Sequence, residues 1–289
     1  MSAKAQSHRE VYQVEFGGPA GAPRVVLVHG LGGSHANWSA LGPLLAVATR
    51  PVAVDLAGFG FTPGTGREAT VTANAHLLAD FVRDEIGEPV YLVGNSMGGM
   101  ISALTAAARP ELVLGVVLID PTLPKPRGVH LDPAIRNQFL GLLLPGVGSK
   151  VLAKRQATTT ARQRVEATLA FCCADPGRLT PAQVDAEVAV TEARDGSAAK
   201  ARISAHIAAT RSIIRLSAAP AYRRELAAIR APVLLIHGIH DRLVPIGSAD
   251  AAARQFPAWD YRRLECGHIP HMELPAGVAD SILTWIEDR

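Results

Sequence analysis

Cysteine, net charge and long apolar runs are all scarce in this chain. Only three cysteines occur in 289 residues, and two of them, Cys172 and Cys173, are adjacent while Cys266 stands alone. An odd number without framework spacing argues against a disulfide scaffold and fits a reducing, cytoplasmic setting. No Cys/His cluster has metal-site spacing, so no metal is expected. The formal net charge is +3, and the basic residues are mostly arginines scattered along the chain, so no nucleic-acid stripe is formed. Lysine is scarce beside arginine and alanine, which reflects coding bias more simply than function. The first residues, Met1 to Glu10, lack the apolar centre of a signal peptide. No uninterrupted apolar stretch approaches the roughly 20 residues that span a bilayer. With 48% apolar and 19% charged residues, the chain has the composition of a globular protein and the length to bury a substantial core.

What is present is an alternation of strands and helices. Val11–Phe16 alternates as an edge strand would, and short apolar runs follow at Arg24–Val28, Pro51–Val54, Val90–Val93 and Leu114–Ile119. Helical patterns fall between them at Ala36–Ala48, Ala73–Ile86 and Gly98–Ala108. Alternation resumes with strand Val233–Ile236, helix Ser248–Phe256, strand Tyr261–Leu264 and helix Val278–Glu287. This order implies βαβ units and a mostly parallel sheet covered on both faces. Ligands of such sheets bind beyond the carboxyl ends of the strands.

The segment from residue 124 to 230 differs in texture. It lacks β-branched runs and reads as amphipathic helices over Pro133–Leu144, Ser149–Ala157, Ala161–Cys172, Pro181–Arg194 and Ala198–Leu216. Prolines 121, 124 and 126 mark its entry and Pro232 its exit. The expected organisation is a core of residues 1–123 and 231–289 with a helical lid, 124–230, inserted between two strands and lying over their carboxyl ends.

Chemistry is concentrated at the strand ends. Gly94-Asn95-Ser96-Met97-Gly98 follows an apolar strand and opens a helix, which puts Ser96 on a tight turn that small neighbours permit. The free N–H groups of a helix N-terminus favour negative charge there. A serine hydroxyl needs a base and a group to orient that base. His268, in Cys266-Gly267-His268-Ile269-Pro270-His271, and Asp241, in Gly238-Ile239-His240-Asp241-Arg242, each follow a strand and complete the order Ser…Asp…His. Asp120, which also ends a strand on this edge, is the competing acid. Its plainer reading is a cap ahead of Pro121. The backbone N–H groups of Leu31 and Met97 are the expected oxyanion donors, with Gly30 and Gly32 allowing close approach. His29, Asp55, His237 and His240 read as loop braces, and His271 as a packing residue. Gly30, Trp38, Phe139, Leu143, Val244 and Ile269 are candidate substrate-lining residues.

These motifs together resemble the α/β-hydrolase family, in particular its lidded esterase and lipase-like members. The matching pieces are His29-Gly30-Leu31-Gly32, Asp55 to Gly60, Gly94 to Gly99, Gly238 to Pro245 and Gly267 to Pro275. The resemblance implies an eight-stranded, mostly parallel sheet, acyl transfer through a seryl ester to water, and no cofactor. Relatives that open epoxides or remove halides carry aspartate at the elbow, where this chain has Ser96. Relatives that hydrolyse carbon–carbon bonds share Asn-Ser-Met-Gly-Gly but carry an aromatic after the catalytic histidine, where this chain has Ile269. The resulting expectation is a serine hydrolase of small to medium apolar carboxylic esters, with no charge cluster marking an anionic subsite. A thioesterase, lactonase, perhydrolase or carbon–carbon hydrolase could use the same triad, and a slow-turnover ligand receptor the same fold. The expected partner is a small ester and neither a nucleic acid nor a membrane; oligomeric state is left open.

Overall fold

Five runs rich in Val, Leu and Ile supply the middle of one sheet, because only such residues can be buried on both faces of a parallel sheet. In the computed structural model, which describes residues 10–133, 135, 141–142, 144, 146–195 and 199–289, the strands are β1 Gln13–Glu15, β2 Arg24–Val28, β3 Arg50–Val54, β4 Val90–Asn95, β5 Val113–Ile119, β6 Val233–Gly238 and β7 Asp260–Leu264. Their order across the sheet is β1-β3-β2-β4-β5-β6-β7. All pairs are parallel except β1 with β3. The sheet therefore has seven strands among the described residues where the family resemblance implied eight. The antiparallel edge consists of the three-residue β1 alone, and residues 1–9 lie outside the described residues.

Helices cover both faces. On one side α2 (Val71–Phe81) and α3 (Met97–Ala108) pack over Val26, Val52, Leu92, Val116 and Leu235. On the other, α1 (Leu41–Leu45) and the C-terminal helix Pro275–Glu287 bury Leu45, Ile282 and Trp285 against Val25, Tyr91 and Val117. The helix expected over Ala36–Ala48 is split into a 3-10 turn, His35–Trp38, and the short α1. Gly42 and Pro43 explain the break: both favour helix ends over interiors.

Between β5 and β6 lie α4 (Val147–Thr158), α5 (Ala161–Cys172), α6 (Pro181–Arg194), α7 (Ala199–Ala218) and α8 (Pro220–Ala228). Thr160 and Thr180 start α5 and α6 with complete capping boxes to Gln163 and Gln183. The periodicity located α4 to α7 within a few residues. Helix α8 escaped it, although Pro220 at its first position is a start signal. The expected helix over Pro133–Leu144 falls largely outside the described residues. After β6 come α9 (Ile246–Gln255), α10 (Pro270–Glu273) and α11 (Pro275–Glu287). No described helix is long and apolar enough to cross a membrane.

Candidate active site

The turn at Ser96 is held by close packing of backbone. A Cβ on Gly94 would collide with the backbone of Gly98 and Gly99, and one on Gly98 with the carbonyls of Val28 and His29. Only glycine lets β2, β4 and α3 come this close. The cost falls on Ser96, a non-glycine residue at φ 54°, ψ −114°. Its N–H donates to Ile119 O at 3.0 Å, and its carbonyl accepts from Met100 N and Thr122 N, each at 3.1 Å. These bonds fix the strained residue, and Ser96 lines a cavity of about 990 Å³ beyond the carboxyl ends of the strands.

His268 lines the same cavity. Its Nδ1 lies 2.7 Å from Asp241 Oδ2, while Asp241 Oδ1 accepts from the N–H groups of Leu243 at 2.7 Å and Val244 at 3.0 Å. The competing acid, Asp120, does not reach His268 in this way. Its Oδ1 accepts from Gly238 N at 2.9 Å, and its carboxyl lies beside that of Asp241. Burial pushes the Asp120 carboxyl well above its ordinary value, and the neighbouring Asp241 charge reinforces the shift. Burial opposes the charge of Asp241 too, but the imidazole of His268, its hydrogen bond, and His237 outweigh it and hold that carboxyl below its ordinary value. The two buried carboxyls are thus shifted in opposite directions: Asp120 upward, toward its protonated form, and Asp241 downward, toward its anion.

His237 completes this buried group, with Nε2 2.8 Å from Val244 O and 3.5 Å from both carboxylates. Asp120, His237 and Asp241 are close enough together to hold a cation. Asp120 Oδ1, His237 Nε2 and both Asp241 oxygens are engaged with Gly238, Val244, Leu243 and His268, whereas Asp120 Oδ2 and His237 Nδ1 make no hydrogen bond to a neighbouring protein group among the described residues.

The opposite wall is the loop after β2. His29 donates from Nδ1 to Gly30 O at 2.7 Å and accepts at Nε2 from Leu56 N at 3.0 Å, the bracing role expected of it. Burial pushes this imidazole down to about 4, so it is neutral. Gly30 packs against Asn95 and Ser96, which places Leu31 next to the elbow, and Met97 is the first residue of α3.

Two side chains that hold the site were not singled out from sequence. Asn95 Nδ2 donates to Ile119 O at 3.1 Å and to His268 O at 3.0 Å, tying the serine turn to the histidine loop. Buried Glu273 accepts from Gly267 N at 2.7 Å, Asp175 N at 3.1 Å and Ala174 N. With the bond from His268 N to Cys172 O at 2.8 Å, it fastens that loop to the end of α5.

Of the lining residues expected from sequence, Gly30, Val244 and Ile269 do line the cavity. Trp38 does not. It is fully buried in the core and packs at a tilt against His271, with ring centroids 4.4 Å apart; a strand-end aromatic found a better-packed place beneath the loop. Phe139 and Leu143 lie outside the described residues. The apolar lining comes instead from Leu31, Phe59, Leu123, Val165, Leu169 and Ile203.

The expectation of a cavity without a charge cluster is overturned. Lys125, Arg155, Arg164, Arg194, Arg202 and Arg223 all line it, against the carboxylates of Glu187 and Asp195. The four arginines before Arg223 come from four separate helices, so no run of charge announces them. Burial pushes Glu187 up to about 7, despite the bond it accepts from Asn37 Nδ2 at 2.7 Å.

Comparison with known proteins agrees with this architecture. A family model described as alpha/beta hydrolase fold matches residues 23–275. The chain is 28% identical over 282 residues to a pimeloyl-(acyl-carrier protein) methyl ester esterase of Aromatoleum aromaticum, covering 89% of this chain and 95% of that protein. It is 27% identical over 272 residues to the 2-hydroxy-6-oxo-6-(2'-aminophenyl)hexa-2,4-dienoic acid hydrolase of Metapseudomonas resinovorans, covering 92% and 84%. Among solved structures, a thermophilic esterase from Thermogutta terrifontis superposes with a TM-score of 0.72 at 22% identity, over 96% of this chain and 93% of that one. The chain belongs to the α/β-hydrolase family.

Proposed function

We propose that this protein is a serine carboxylester hydrolase in which Ser96 is the nucleophile, His268 the general base and Asp241 the acid that orients it. The observation that carries this reading is the 2.7 Å contact between His268 Nδ1 and Asp241 Oδ2, on the wall of the cavity that the strained Ser96 also lines. With Nδ1–H held by Asp241, the imidazole keeps Nε2 free to take the serine proton. Ser96 Oγ attacks the ester carbonyl, and the developing oxyanion is received by the N–H groups of Leu31 and Met97. His268 returns the proton to the leaving alcohol, leaving acyl-Ser96. Water, deprotonated by the same imidazole, then releases the acid and restores the serine. A proton on Asp120, whose carboxyl lies beside that of Asp241, steadies the Asp241 anion. The helical insertion caps the cavity and confines the chain of the ester.

The esterase among the relatives supports an ester substrate, and the ring-fission hydrolase names the rival, a carbon–carbon bond cleaved by the same triad. Hydrolysis of p-nitrophenyl esters from acetate to palmitate separates them. Turnover with an optimum at one chain length, lost by at least about 10⁴-fold in Ser96→Ala, is the expected result. A folded protein that turns over none of these esters contradicts it.

A further inference from the structure

The ester mechanism needs no charge on the far side of the cavity, yet cations collect there. Arg155 of α4, Arg164 of α5, Arg194 of α6 and Arg202 of α7 all reach its wall. One carboxylate serves this group. Asp195 pairs with Arg164 and, at 3.1 Å, with Arg202. Arg155 and Arg194 make no ion pair among the described residues. Arg155 donates to Arg164 O at 3.3 Å, and Arg194 Nη2 donates to Gly58 O at 2.9 Å. Four guanidinium groups meet one ion-paired carboxylate, with the Asp55 charge acting on Arg194 from outside the cluster, so positive charge is in excess, and the buried Glu187, pushed up to about 7, offsets little of that.

Arg194 is the most telling of these. It bridges from the insertion to the loop after β3, beside Gly58 and Phe59, which line the cavity with Ser96. One carbonyl engages one of its five donors. Burial and the neighbouring Arg202 work against its charge more than the charges of Asp55 and Asp195 support it, so the guanidinium is pushed down to about 10. A half-buried cation without a direct ion pair is unfavourable unless a ligand supplies one. The same cavity is lined by Ser96 and by apolar side chains, Leu31, Phe59 and Ile203 among others. The ligand that fits has a reactive ester at one end, an aliphatic body and an oxyanion at the other.

We infer that the insertion side of the cavity is an anion-binding subsite, centred on Arg194 with Arg155 and Arg202 beside it, that takes a carboxylate or phosphate at the far end of the ester substrate. The guanidinium fork suits either group, since it meets both with paired, charge-assisted hydrogen bonds. The inference rests on the ester-hydrolase reading for the substrate's other end.

The test compares kcat/KM for p-nitrophenyl hexanoate with that for mono-p-nitrophenyl adipate and for the p-nitrophenyl ester of a phosphonohexanoic acid. At low ionic strength at least one anion-ended ester is expected to exceed the neutral one by about tenfold or more, the equivalent of about 1.4 kcal/mol. Which of the two gains more distinguishes carboxylate from phosphate. Salt should shrink the ratio. Arg194→Gln brings the ratio toward one, and Arg155→Gln, a more peripheral change, lowers it in the same direction. A neutral ester turned over as well as both anionic ones overturns the inference and leaves the esterase intact, as does a ratio that survives both substitutions. Thermal stabilisation by free adipate or inorganic phosphate gives a readout without turnover. Stabilisation that Arg194→Gln abolishes, in a protein that hydrolyses no ester, would retain the anion site and remove the esterase reading. Neither turnover nor stabilisation overturns both.

Discussion

Asp120 and Asp241 stand at the ends of adjacent strands, have equally buried side chains, and are shifted in opposite directions by their partners. Asp241 faces an imidazole and two backbone N–H groups; Asp120 faces another carboxylate and one N–H. Environments that separate two like groups in this way assign their roles. If Asp120 acts as a neutral donor, Asp120→Asn should preserve kcat to within a few-fold, since an amide donates in its place and asparagine tolerates the positive φ of 42°. Asp120→Ala should cost about 10–100-fold, the worth of a hydrogen bond to a charged group. The sign with pH follows. The folded chain holds a proton that the unfolded chain releases above 3.8, so the stability carried by Asp120 is present at low pH and lost as pH rises. Asp120→Asn should flatten that loss in thermal unfolding followed across pH. Equal damage from the amide and the alanine would contradict a donor role.

Elements explain what could be read from sequence and what could not. The strands β2, β4, β5 and β6 announce themselves because burial on two faces demands an unbroken apolar run. The Ser96 turn is equally visible, because glycines at 94 and 98 have no other purpose than the close approach of β2, β4 and α3. Trp38 shows the limit. Its position after a strand suits a pocket as well as a core, and only the packing against His271 decides for the core. Asn95 and Glu273 were invisible for a related reason: each works through backbone groups on segments remote in sequence. The arginine cluster was hidden by distribution, one residue per helix over four helices, and the same holds for any charge assembled by tertiary packing.

At the scale of the whole molecule, the insertion and the sheet meet at the histidine loop. Gly267 sits so close to Cys172, Cys173 and Ala174 that a side chain there would collide with their backbone, and Glu273 accepts from both segments. Beneath them, Ile269 and Met272 pack with Val165, Leu169 and Val188 of the insertion in a small core of their own. The insertion thus helps to hold His268 as well as to wall the cavity. Glu273→Ala orphans N–H donors on both sides, of which that of Gly267 is buried; each buried orphan costs about 1–3 kcal/mol. The expected outcome is a lower midpoint of thermal unfolding together with a fall in kcat, as His268 loses its register. A variant destabilised by that amount with unchanged kcat would show that the fastening serves the fold alone.

The central claim, that Ser96 is a nucleophile activated through His268 and Asp241, is tested most directly by covalent labelling. Intact mass spectrometry after exposure to a fluorophosphonate should show one adduct per chain, mapped to the peptide carrying Ser96, and should show none in Ser96→Ala. His268→Ala should label far more slowly. Labelling at another residue, or at the same rate without the histidine, would contradict the account.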